Sequence, residues 1–321
     1  TQGGSVYPPF FLSGDCLRSE GIEMELAVHL REPSQLEAWE GVRGHLTALY
    51  GAGTLERDLE DELLPGSSRR IYVGDEFCLH RMVDPEGLDA LVRLAQMRSW
   101  AVTLLTPPTT DEGLERFAPL LDRLDALQFE SEVVVNDWGA MQFVRERYPS
   151  LPVSLGRLLN KGFKDPRLAD AEAFARISEE AAELLNRCAF DSAGFREEMA
   201  RRGVHRLERD LLPHGAPRWE TPAGIRESVY FPFGYVTMGR VCLLASLEGN
   251  HSKKFSLADT CRRTCRDMSL RLTDPPRNLE LLQEGNAVFY RYPASLLRSF
   301  LSWAAGRGLR CVYQGLAIGV P

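Results

Sequence analysis

Short apolar runs of strand length alternate with longer stretches of helical periodicity along most of this chain, and few folds accept that alternation. The strongest run is Glu132 to Asn136 (EVVVN), the pattern of a strand buried on both faces. Ile22 to Leu30, Arg70 to Gly74, Ala101 to Leu105, Val153 to Leu155, Val204 to Leu212 and Ser228 to Phe233 read as further strands. Val288 to Tyr290 and Leu309 to Tyr313 follow, flanking a helix over about Ala294 to Gly306. Between strands, Pro85 to Arg98 is amphipathic, and Thr110 or Asp111 caps a helix to about Ala126. Ser34, with Glu37 three residues on, starts a helix that runs to about Tyr50. Asp137 leads into another. Phe174, Ile177, Ala181, Leu184 and Cys188 share one helical face within Arg167 to Phe190, and a second helix spans about Ser192 to Arg202. Right-handed crossovers then favour an α/β fold that is a barrel or a doubly wound sheet; of these we expect the mainly parallel (β/α) barrel, distorted or incomplete, with a helical insertion near 167–203. We expect an irregular segment over 1–20 and one barrel-like domain over 21–321.

In such folds chemistry collects at the carboxyl ends of the strands. Cys78, Asp137, Arg157, Asn160 and Arg209 all sit at or just after a predicted strand end. Asp137, Arg157, Asn160 and Arg209 are candidates for a pocket at the barrel mouth, with Arg240 beside them. Their structural reading is a helix cap for Asp137 and a local ion pair for Arg209 with Glu208 or Asp210. No glycine-rich phosphate loop and no Gly-x-Ser-x-Gly elbow occurs. His80, His205, His214 and His251 lack the spacing of a triad or a zinc helix.

Seven cysteines in 321 residues, with no secretory signal, point to reduced thiols and a cytoplasmic setting rather than a disulfide framework. No apolar run approaches about 18 residues, so no membrane span is expected. The net charge of −7 disfavours a general nucleic-acid binder. Three cysteines, Cys242, Cys261 and Cys265, lie within Gly239 to Asp267, among Arg240, Lys253, Lys254, Arg262, Arg263 and Arg266. Positive charge stabilises thiolates and offsets an anionic cluster. Ser256 and Asp259 look like a helix start, which places Cys261 and Cys265 on one helical face. Cys188 and Cys311 sit in apolar patterns and read as core residues, and Cys16 lies in the irregular end. Spacing does not separate zinc from an iron–sulfur cluster.

The order of motifs resembles the U-32 peptidase-like family, and within it the UbiV-type oxygen-independent ubiquinone-hydroxylation factors. A strand ending like the family's Tyr-Leu-Gly is Ile71-Tyr72-Val73-Gly74, and Asn136-Asp137-Trp138-Gly139 matches its strand followed by Asp-Leu-Gly. Leu207 to Leu211 matches a Leu-x-Arg-Glu-Leu strand end, and Gly239-Arg240-Val241-Cys242 matches a Gly-Arg-Cys segment. Val241 is an insertion, Asp210 replaces the usual Glu, Ser154 to Arg157 departs from a Ser-Thr-Gln-type strand end, and no Cys occurs over Tyr235 to Met238. The UbiV type instead carries a Cys soon after the Tyr-Leu-Gly strand, at the offset of Cys78, and closes with Cys-x3-Cys, as at Cys261 and Cys265. The resemblance therefore implies a 4Fe–4S cluster on Cys78, Cys242, Cys261 and Cys265. It also implies hydroxylation of a quinone precursor or similar aromatic, with a related subunit as heterodimer partner. The alternatives are an RNA-modifying or peptidase-like member of the same family, or a zinc- or cluster-stabilised binding scaffold.

Overall fold

The computed structural model describes residues 24–36, 42–51, 68–127, 129–169, 174–213, 224–247, 261–277, 279–304, 307–315 and 317–318. Seven parallel strands come first: β1 (Glu25–Leu30), β2 (Ser68–Gly74), β3 (Ala101–Thr106), β4 (Ser131–Val135), β5 (Val153–Leu155), β6 (Val204–Asp210) and β7 (Arg226–Phe231). The chain then leaves to build a four-stranded antiparallel sheet from β8 (Phe233–Met238), β9 (Leu270–Asp274), β10 (Leu279–Glu284) and β11 (Ala287–Arg291), in the order β8-β11-β10-β9. It returns as β12 (Arg310–Tyr313), which lies parallel to both β7 and β1 and closes an eight-stranded barrel. The fold is thus the expected (β/α) barrel.

Helices α1 (Val42–Tyr50), α2 (Pro85–Met97), α3 (Asp111–Ala126) and α4 (Trp138–Arg147) occupy the early crossovers. The α2 helix starts where Asp84 accepts from the Gly87 N–H at 2.8 Å, with Pro85 at its first position. Strand residues alternate between two environments. Val28, Ile71, Val73, Leu104, Val133, Leu207 and Val229 face outward and join Leu88, Leu91, Phe117, Leu121, Met141, Leu297 and Phe300 in one continuous core. Each such fully buried side chain contributes about 1.5–3 kcal/mol. Two glycines mark close approaches at strand ends. Gly74 has φ +104°, and a Cβ there would stand 2.5 Å from the Leu105 carbonyl oxygen. A Cβ on Gly156 would strike the Asn136 side chain.

Four expectations are corrected. Ser34 sits in a short 3-10 turn over 33–36, and α1 begins at Val42, while Glu37 lies outside the described residues. Arg167 to Phe190 is not one helix. A 3-10 turn (Pro166–Ala169), the short α5 (Glu179–Leu185) and a turn at Ala189–Asp191 replace it, followed by α6 (Ala193–Arg201). Ser178 caps α5 through the Ala181 N–H, Leu184 is 61% exposed, and Cys188 bridges to Gly162, so the apolar stripe does not face one core. Ser228 to Phe233 is not one strand either. The run is split at Pro232, with β7 in the barrel and β8 in the second sheet. The antiparallel sheet itself was not foreseen, although Asp274-Pro275-Pro276 does break the chain, forming the turn between β9 and β10. Finally, Arg263 adopts a left-handed conformation (φ 58°) and Thr264–Arg266 is a 3-10 turn, so Cys261 and Cys265 do not share an α-helix. The predicted start at Ser256 to Asp259 lies outside the described residues.

The barrel interior is charged at the end where the strands begin. Glu25 accepts from Arg70 Nε at 2.6 Å and from Arg310 Nε at 2.5 Å. Glu132 accepts from Arg310 Nη1 and, at 2.9 Å, from Thr103 Oγ1. Glu208 takes the Tyr72 hydroxyl proton at 2.9 Å on one oxygen, while its other oxygen is buried with no hydrogen-bond partner among the described residues. Burial, with Glu132 adding and Arg310 opposing, pushes Glu208 up to about 7. The folded state therefore holds a proton there after the unfolded chain has lost it. Stability falls as pH rises from the ordinary carboxylate range to about 7 and then levels off. In Glu208→Gln, which keeps the Tyr72 bond, that fall should vanish. Urea melts from pH 4.5 to 8 should show the variant gaining roughly 3 kcal/mol on the wild type. Parallel curves for the two proteins would refute this.

Candidate functional site

At the opposite end the strand termini converge on Arg157, which is fully buried just after β5. Its Nε and Nη2 grip Glu76, at 3.0 Å and 2.6 Å, in a fork that fits a carboxylate. Its Nη1 donates to Asp210, the last residue of β6, and Nη2 also donates to Gln314 Oε1 at 2.9 Å. The guanidinium lies 3.7 Å from the centre of the Tyr230 ring, a cation–π contact. Burial opposes the charge, but Asp210 and Glu76 hold Arg157 well above the usual arginine range. Lys164 gives Asp210 a second cation. Burial would raise Asp210, yet Arg157 and Lys164 hold it below the ordinary range. His29, at the end of β1, bonds the Gly74 carbonyl oxygen at 2.9 Å, and burial drives it down to about 3, so it stays neutral.

Beside this mouth the chain turns out of β2 through Asp75. One Asp75 oxygen accepts the N–H groups of Phe77 at 2.8 Å and Cys78 at 2.9 Å, and the other pairs with Arg81 at 2.9 Å. Phe77 packs against Tyr235 and Phe289, with ring centres 5.3 Å and 5.4 Å away, which docks the Cys78 loop on the inserted sheet. A cleft between mouth and sheet is lined by Arg31, Asp75, Glu76, Arg81, Arg157 and Glu284, with Phe77, Phe289 and Ile318 as its apolar side.

The three other cysteines of the predicted set follow β8 and precede β9 of that sheet. Cys242 follows β8 at the start of α7 (Leu243–Leu247), and its sulfur accepts the Ala245 N–H at 3.5 Å. The Cys261 sulfur accepts the Arg263 N–H at 3.4 Å, an amide aimed by the left-handed backbone at Arg263. Cys265 is buried in the 3-10 turn against which α7 packs. Burial, then Glu284, then Cys242 and Cys261 push the Cys265 thiol up to about 11. Burial and Asp75, and then Cys265 and Cys242, raise Cys78. Cys242 and Cys265 thus act on Cys78, and Cys242 and Cys261 on Cys265, although the four come from three separate stretches of chain. Among the described residues no three His, Cys, Asp or Glu side chains are drawn in close enough to hold a single metal ion. Cys188 caps the Ala189–Asp191 turn and Cys311 lies in β12 with its sulfur 3.6 Å from Met24 Sδ, both away from this group. Cys16, His214, His251, Lys253 and Lys254 lie outside the described residues.

The other predicted residues separate. Asn160 is buried after β5, its side-chain oxygen without a partner among the described residues. Asp137 caps α4, accepting the Ala140 N–H at 3.1 Å. Arg209 faces away from the barrel axis and pairs with Glu227 at 2.6 Å under Trp303, rather than with Glu208 or Asp210. Arg240 is exposed beside Cys242. Sequence reasoning missed Glu76, Asp210, Lys164, Gln314 and His29 as mouth residues. Glu76 had a usable signal, two positions past the strand-ending Gly74, and so had Asp210 at the end of β6.

No family model and no curated protein matches the sequence. No described helix is long and apolar enough to cross a membrane. Among solved structures the chain is similar to the U32 peptidase Mk0906, at 13% identity and a TM-score of 0.41 over 97% of this chain and 98% of that one. It is also similar to a family GH18 chitinase from Cycas revoluta in complex with allosamidin, at 11% identity and a TM-score of 0.30 over 93% and 96%.

Proposed function

We propose that this chain is a U-32 peptidase-like iron–sulfur protein. It holds a 4Fe–4S cluster on Cys78, Cys242, Cys261 and Cys265. It serves oxygen-independent ring hydroxylation of a quinone precursor or similar aromatic, as one subunit of a complex with a related chain. The observation that carries the reading is that Cys78, Cys242, Cys261 and Cys265 are brought to the β2 and β8 loops and to the Thr264–Arg266 turn packed on α7, all as free cysteines, while Cys188 and Cys311 lie in other elements. Binding there releases thiol protons, so occupancy rises with pH. A cubane binds one thiolate per iron, so its ligands need not close to the spacing of one ion's ligands. The amides of Ala245 and Arg263 already donate to two of the sulfurs, a means of tuning cluster potential. When bound, the cluster supplies one-electron transfer.

The cleft next to Cys78 supports a small and nearly neutral substrate. Arg31, Arg81, Arg157 and Lys164 are matched by Asp75, Glu76, Asp210 and Glu284, so no excess positive charge is left for a phosphate-rich ligand. Phe77, Phe289 and Ile318 form the apolar side of the cleft, and the ion pairs form the side opposite. Purified without oxygen, the protein should carry about four irons and four sulfides per chain, with a brown colour. A colourless protein loaded with zinc would overturn the cluster, and co-purifying RNA would replace the substrate reading.

A further inference from the structure

We infer that Asn286 is the positioning residue that sets Cys78 against Cys242. It stands in the turn between β10 and β11, after Gly285, whose φ is +59°. A Cβ on Gly285 would come within 2.8 Å of Arg81 Nη1, so the turn sits tight against the Asp75–Arg81 pair. The Asn286 side-chain amide nitrogen donates to the Phe77 carbonyl oxygen at 2.7 Å and to the Gly239 carbonyl oxygen at 2.9 Å. The Asn286 backbone carbonyl oxygen accepts the Gly239 N–H at 3.0 Å. Both acceptors are carbonyls, so only the nitrogen can face them, and the amide orientation is fixed by chemistry.

The two bonded residues lead directly to thiols. Phe77 precedes Cys78, and Gly239 lies three residues before Cys242. The first loop belongs to the barrel and the second to the inserted sheet, 209 and 47 residues from Asn286 in sequence. One side chain thus ties two bodies that carry different thiols. The side-chain oxygen of Asn286 is buried without a partner among the described residues, so the residue is held for its two donors. Asp at this position would set a carboxylate against two carbonyls, and Gln would reach one methylene too far. Neither can replace Asn.

The test uses the full chain and two readouts, and only the second rests on the cluster reading. The metal-free, reduced protein is treated with a short bis-thiol reagent, and the Cys78–Cys242 crosslinked peptide is quantified by mass spectrometry. Asn286→Ala and the isosteric Asn286→Asp should each lower that yield at least about fivefold, the population shift from losing a single net hydrogen bond, since each variant loses both donors. Iron retained after reconstitution should fall in parallel, while crosslinking of both variants is restored by no external ligand. Crosslink yield and iron content at wild-type levels in Asn286→Asp would overturn the inference. If the wild type takes up no iron but the crosslink still falls in the variants, the cluster reading fails and the positioning role stands. Should Asn286→Ala fail to fold, Asn286→Asp decides alone, because it changes the donors and leaves the shape.

Discussion

Arg157→Met is expected to destabilise the fold by about 3–5 kcal/mol, the cost of leaving buried carboxylates without their cation. Glu76 and Asp210 are both essentially inaccessible to water, and Arg157 is the group that answers both. Lys164 still serves Asp210, but Glu76 loses its forked partner. Arg157→Lys should recover part of the loss and no more, because an ammonium cannot bridge Glu76, Asp210 and Gln314 at once. Urea unfolding followed by circular dichroism measures this. A Met variant within about 1 kcal/mol of wild type would mean that the mouth network contributes almost nothing net, as some buried ion pairs do.

Cys78→Ala should remove nearly all bound iron, a larger loss than the ~10–100-fold in affinity that an outer-shell partner commands. Cys188→Ala should leave iron content unchanged, because that sulfur sits at a turn far from the group. Iron and sulfide per chain, with the visible absorption of the anaerobic protein, provide the measurement. Equal losses in the two variants would show that the ligands were wrongly chosen.

Local signals were legible where local chemistry decides. EVVVN is β4, and Asp137 does cap the next helix. Illegible were the features set by distant partners. The Arg157 contacts span 81 and 53 residues, and nothing in the sequence near Arg157 announces them. Inward charges such as Glu25, Arg70 and Arg310 look like ordinary strand-end polarity until the barrel turns them toward one another. The stretch SVYFPFGYVTM misled differently. Its apolar character is continuous because buried β7 runs straight into the buried start of β8, in two different sheets, and only Pro232 marks the change. The Leu184 stripe shows the converse error, since periodicity reports a face and not what covers it.

The placement of the inserted sheet orders the events of biosynthesis. Cys78 leaves the ribosome with the second strand, and the other three thiols follow only after the seventh. Even then the barrel is open, because β12 is the strand that joins β7 to β1. A nascent chain ending before Arg310 holds Cys78, Cys242, Cys261 and Cys265 yet lacks the closed ring that β12 completes. Contacts of such long sequence separation form late in folding. The thiols thus pass through a period of synthesis in which they are present, reduced and unassembled. On the proposed cluster reading, metal delivery would accordingly follow translation, with the free thiols open to oxidation until then.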